Sequence, residues 1–204
     1  MKNLPFDTIS LSGDDVQILE DTYDALKAKF NIDIDCNIHF DIKRFDSTAN
    51  TETTVGGILS INSSSPFYLV FLKTHYSEYG VRSATRYDWY KYTVWAYINQ
   101  TKDFGRVLIR HETFNDRLVA LLHPCQMKFE DDKPFDHKFY VMTNDDQKAH
   151  LAMSWNFRNA VMDMEDKMVL ETEGKSLIVG SHSNINLEQT IQLAEFASKI
   201  AALR

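Results

Sequence analysis

The sequence predicts an α+β fold: a mainly antiparallel sheet with helices packed on one face and a closing C-terminal helix. Three observations predict it. Residues 87–99 carry six aromatics in thirteen positions, with no Gly and no Pro. β-branched and aromatic side chains suit a pleated, half-buried surface, so this is a long central strand. Residues 33–43 alternate, with Ile34, Cys36, Ile38, Phe40 and Ile42 on one face and Asp33, Asp35, Asn37, His39, Asp41 and Lys43 on the other. That pattern is a strand with one face in the core and one in water. The order of elements is a helix, a run of strands, strands mixed with helices, and a last helix, which is the α+β pattern.

Ser12 and Asp15 form a capping box ahead of a helix whose stripe is Val16, Leu19, Tyr23, Leu26 and Phe30. Residues 33–43 follow as a strand. The polar stretch 46–54 reads as a mobile loop, and 57–61 as a short strand. Residues 67–76 form another strand, and the turn around Gly80 returns the chain into residues 87–98. The hairpin of these two strands is the firmest long-range pairing. In the aromatic strand, Tyr90, Tyr92, Val94, Ala96 and Ile98 share one face. Trp89, Lys91, Thr93, Trp95 and Tyr97 share the other, which the first helix is expected to roof.

Residues 106–110 are a strand, and Thr113 caps a helix that Pro124 ends. Residues 127–130 read as a short edge strand and 138–143 as a further strand. Asn144 or Asp145 starts a helix to about Met153, and Ser154 starts another carrying Phe157, Val161 and Met164. Gly174-Lys175 is the turn of a hairpin formed by 168–173 and 176–180. Asn186 caps the last helix, with Leu187, Ile191, Ala194, Ala197 and Ala201 inward and Leu193, Phe196 and Ile200 widening the stripe. The chain reads as a single domain over residues 1–204, with a subdivision conceivable near 100–104.

Hydrophobic residues make up 44% and charged residues 25%, an ordinary globular composition. The net charge of −7 and the lack of a basic stripe argue against nucleic acid as partner, and against anionic membrane surfaces. Cys36 and Cys125 lie far apart with no ligand spacing, which reads as free thiols in a reducing, cytoplasmic compartment. No apolar h-region opens the chain and no run reaches membrane-spanning length. Asn62-Ser63-Ser64 and Asn99-Gln100-Thr101 match the glycosylation sequon, and without an export signal both read as chance.

The block Phe135-Asp136-His137-Lys138-Phe139-Tyr140-Val141-Met142-Thr143-Asn144-Asp145 places F-x-x-x-F-x-V before a polar turn. With the strand at 105–110, the helical pair and the hairpin 169–179, the second half resembles an uncharacterised bacterial domain-of-unknown-function family (3137 type). The resemblance spans about half the chain. Members often carry hydrophobic N-terminal helices, which this sequence lacks. The family carries no established chemistry, so the resemblance implies no catalytic residue.

Four sets of residues invite a functional reading. Asp33, Asp35, His39 and Asp41 share a strand face and could gather a divalent cation, but a solvated sheet face explains them as well. His75, His111, His123, His137, His150 and His182 show no zinc-type spacing. His111-Glu112 point to opposite faces of a strand, and His123 suits a helix C-terminus. No G-x-S-x-G elbow and no glycine-rich phosphate loop is present, and Cys36 falls on the apolar face of its strand. The fourth set is the aromatic face of the central strand. Trp89, Trp95 and Tyr97, with Lys91 between and Arg86 beside them, could stack a planar or sugar ligand or form a protein-binding patch.

These readings point to no catalytic residue, no metal and no cofactor. The expected function is a non-catalytic binding or assembly module. Its partner would be a protein, or a second copy, engaged through the aromatic sheet face or a strand edge. The alternative is an enzyme or small-ligand pocket lined by Arg82, Arg86, Trp89 and Trp95.

Overall fold

The computed structural model describes residues 4–34, 40–79, 86–113 and 126–203. Among these, eight strands form one antiparallel sheet: β1 (Ile32–Ile34), β2 (Thr53–Ile61), β3 (Phe67–Tyr79), β4 (Arg86–Asn99), β5 (Arg106–His111), β6 (Phe139–Thr143), β7 (Val169–Glu173) and β8 (Ser176–Gly180). Their order across the sheet is β1-β2-β3-β4-β8-β7-β5-β6. The helices are α1 (Gly13–Lys29), α2 (Lys133–Lys138), α3 (Asp146–Ala152), α4 (Trp155–Val161) and α5 (Leu187–Ala201). The α+β class, the antiparallel sheet and the closing helix are as the sequence predicts.

The hairpin of β3 with β4 forms in a single register from Tyr68↔Tyr97 to Tyr79↔Arg86. The sheet then continues across residues 100–104, because β4 pairs with β8 through Trp95↔Gly180 and Asn99↔Ser176. Gly174, at φ +62°, makes the tight β7–β8 turn that Gly174-Lys175 announces. Ser12, Asp145 and Asn186 cap their helices as the sequence requires, each accepting from a backbone N–H three residues on.

The helices cover one face. Tyr92, Val94, Ala96 and Ile98 of β4 and Phe67, Leu69 and Phe71 of β3 are buried there. They pack with Leu19 and Leu26 of α1 and Leu193, Ala194, Ala197 and Ile200 of α5. Lys29 of α1 and Glu195 of α5 join the two helices. The same apolar cluster runs on through Val107, Ile109, Phe139 and Val141 to α3 and α4.

The other face differs from the sequence reading in what covers it. α1 does not roof Trp95 and Tyr97. Residues 40–50 do, as a strap laid across the sheet. The alternation of 33–43 predicts one long strand; β1 is described to Ile34, which is 53% exposed, and from Phe40 onward the described chain is not strand. Cys36 and residues 35–39 lie outside the described residues. Phe40 and Ile42 are apolar because they pack downward onto this second face, and not because they belong to a strand. The strap makes two short 3-10 turns, Ile42–Arg44 and Asp46–Thr48. Ile42 and Phe45 are buried against Val70, Leu72, Trp95, Tyr97 and Ile178. Phe40 stacks on Tyr97 at 3.9 Å between ring centroids and 5° between planes. The polar stretch 46–54 is therefore no mobile loop: it ends the strap and starts β2 at Thr53.

Two smaller differences concern the second half. Residues 127–130 form no strand. One hydrogen bond, Met127 N–H to the Val141 carbonyl, lines them along β6. α2 was not expected, and it forms because Asp132 caps the Phe135 N–H with Pro134 at its first turn. The expected helix after Thr113 and residues 80–85 lie outside the described residues.

Candidate functional site

β2 ends its pairing with β3 at Thr53↔Thr74, and Glu52 adds one bond to His75. On the other side, β8 leaves β4 at Trp95, and Ile185 reaches only to Tyr92. Beyond these points β3 and β4 continue alone among the described residues. Residues 76–79 and 86–89 thus form a two-stranded arm, roughly 10 Å long at 3.3 Å per residue.

Aromatic pairs zip the arm on both faces. Tyr76 and Trp89 are direct cross-strand partners and stack at 5.6 Å with 11° between their rings. On the opposite face His75 stacks on Tyr90 at 5.0 Å. Such pairs contribute about 0.5–1.5 kcal/mol beyond area burial. Trp89 remains 44% exposed and Tyr76 37%, and Tyr87 extends the exposed surface. Strand parity puts Arg86 on the His75 face. Its guanidinium donates to Asp88, which also meets His75 at 2.9 Å. Desolvation pushes the Asp88 carboxyl up, but the Arg86 and His75 hydrogen bonds outweigh it and leave it below its ordinary range.

The residues singled out from the sequence therefore separate. Trp89, Lys91, Trp95 and Tyr97 do share a face. Trp95 and Tyr97 are buried beneath the strap, at 1% and 4% exposure, while Trp89 stands free on the arm. Arg86 projects from the opposite face, so it does not line a pocket with Trp89 and Trp95. Arg82 lies outside the described residues, as do Asp35, His39, His123 and Cys125. Among the described residues no group of three or more His, Cys, Asp or Glu is placed to hold a metal ion. No helix among them is long and apolar enough to cross a membrane.

Between the strap and the base of the arm lies a hollow of about 320 Å³. Trp95 borders it. Thr53, Thr74 and Thr93 bring three hydroxyls, Tyr76 forms one wall, and Lys91 and His182 stand at the edge. Thr53 and Thr74 hydrogen-bond across the strands at 2.8 Å, and the Trp95 indole N–H donates to Thr93. Lys91 donates to the His182 carbonyl. The His182 ring meets Trp95 edge-on at 5.3 Å. Partial burial, and secondarily the Lys91 ammonium, hold that imidazole below its ordinary range.

The far wall is fixed by Glu171 of β7. Its carboxylate accepts the backbone N–H of Asp46 at 2.7 Å and of Ser47 at 2.9 Å. Sequence reasoning names Lys91 and Trp95 but misses the threonines, Glu171 and the strap. These come from segments far apart in the chain, and none carries a motif.

No protein-family model and no curated protein matches the chain. Its architecture is similar to that in the crystal structure of the mycobacterial trehalose monomycolate transport factor A, TtfA. The TM-score is 0.52 at 8% identity, over 94% of this chain and 95% of that one. At that identity the likeness shows the fold: an α+β chain built as TtfA is built.

Proposed function

We propose that the chain is a non-catalytic, cytoplasmic binding or assembly module whose partner is another protein, seated on the aromatic face of the β3–β4 arm. The observation that carries this reading is the Tyr76–Trp89 stack. It lies partly exposed on a ribbon that no third strand flanks among the described residues. Trp and Tyr offer large contact area at small entropic cost and are enriched in binding hot spots. The unpaired edges of the arm add backbone donors and acceptors for strand addition.

The edge of the sheet at β6 is a poorer route. The Val141 carbonyl is taken by Met127 and the Phe139 carbonyl by the Gln126 side chain. TtfA is named a transport factor. Kinship with the uncharacterised bacterial family stays a proposal, made on the resemblance of residues 105–179 that is strongest at 135–145.

The test is a photo-crosslinking residue placed at position 89 and, as control, at exposed Lys133, in the cells that make the chain. The expected result is a protein adduct at 89 that Tyr87→Ala abolishes and that position 133 does not give. Equal adducts at both positions, or none at 89, would overturn the reading. Light scattering over a concentration series separates the partners. A mass that doubles with concentration identifies a second copy. A constant monomer mass assigns the adduct to a different protein.

A further inference from the structure

The hollow under the strap meets the base of the arm and shares Tyr76 with it, while its charge comes from Lys91 and does not depend on the protein partner proposed above. Most of its lining residues are polar, and the buried Trp95 borders it. Two formal charges border it. Asp46 sits at the far end, inside the field of Arg106, whose own proton is held by Glu173 first and by Asp46 more weakly. Lys91 sits at the near end. It donates to one carbonyl, and among the described residues it pairs with no carboxylate. The imbalance at the near end is therefore positive. Around it stand the Thr74 and Thr93 hydroxyls and the Asn50 side chain. Leu72 and Trp95 supply the apolar part of the lining, and Tyr76, stacked on Trp89, stands at the arm end.

We propose that this hollow binds a small planar organic anion, a carboxylate of the aromatic-acid class, with its charge on Lys91 and its ring toward the Trp95 end of the hollow. The volume of about 320 Å³ accommodates such a molecule. Charge-assisted donation from Lys91 orients the carboxylate, and the hydroxyls of Thr74 and Thr93 complete its hydrogen bonds. An anion there would also favour the protonated form of His182, which burial first and Lys91 second now disfavour.

The experiment uses the full chain and sodium benzoate as probe, with benzamide as the neutral isostere, read by NMR at the Trp95 indole N–H and the His182 ring. Benzoate should shift both signals with a Kd of about 10 mM or below, the range open to so small a ligand. It should also raise the His182 titration midpoint, while benzamide does neither. Lys91→Gln should weaken benzoate by about tenfold and Lys91→Arg by much less. The proposal is overturned if benzamide matches benzoate in the unaltered chain, a comparison that needs no variant. It is equally overturned if benzoate leaves Trp95 unshifted, or if a folded Lys91→Gln chain binds it as well as before.

Discussion

The indole of Trp95 lies against the Cα of Gly180 so closely that a methyl group there would stand 2.6 Å from Cδ2. The two are register partners across β4 and β8, the junction of the two halves of the sheet. The added carbon would also meet the Val94 carbonyl at 2.7 Å, and backbone cannot swing away as a flexible side chain does. Gly180→Ala should therefore destabilise the fold by about 1–3 kcal/mol, the usual cost of overpacking. Urea denaturation measures it. An unchanged midpoint would mean that β4 and β8 separate at little cost.

Glu171 holds the strap by two charge-assisted hydrogen bonds from a site only 7% exposed. Glu171→Gln keeps the shape but lets the amide donate where an acceptor is needed. Protection of the Asp46 and Ser47 amides from hydrogen exchange should fall about tenfold, equal to about 1.4 kcal/mol. The global midpoint should move less, because Phe45 and Ile42 remain buried. Undiminished protection at those two amides would assign the strap's hold to its apolar side chains.

Residues 5–9 are tied to the sheet by titratable groups, and this sets a pH dependence at both extremes. Burial first, and the Asp7 charge second, push the Tyr92 phenol well above its ordinary value of 10.0. A group whose folded pKa is raised gives stability that is complete below the unfolded value and is lost as pH rises above it. Stability should thus fall from about pH 10 upward. Tyr92→Phe should flatten that alkaline fall, at the cost of the bond to the Asp7 carbonyl. Asp7 runs the other way. The Lys73 hydrogen bond at 2.9 Å, working against desolvation, lowers its carboxyl below 3.8. Its contribution is present above that value and is lost as pH falls below it. Thermal melts at pH 3–11 on the unaltered chain and the variant check both limbs.

The β3–β4 hairpin was plain in the sequence because aromatic and β-branched residues ran unbroken on both sides of Gly80. Parity also put Trp89 and Trp95 on one face correctly. The same parity places Arg86 on the other face, so the proposed pocket containing all three could have been excluded by counting. What parity could not show was which face the helices take. Residues 94–98 are apolar on both, so either side could have received α1. The strap was hidden for a related reason. Phe40 and Ile42 alternate as a strand would, and alternation does not distinguish pairing along an edge from packing across a face. The hollow has no local signature at all, since Thr53, Thr74, Thr93 and His182 meet only through the register of three strands and a loop.

The first and last helices lie side by side, the last over β3 and β4, and are joined by Lys29 and Glu195. A chain leaving the ribosome therefore exposes Phe67, Leu69 and Phe71 long before residues 187–201 emerge to shelter them. During that interval the longest hairpin of the sheet is sticky on its inner side. Synthesis of this protein should accordingly call on holding chaperones, and its yield should respond more to their supply than to mutations on the solvent side of α5.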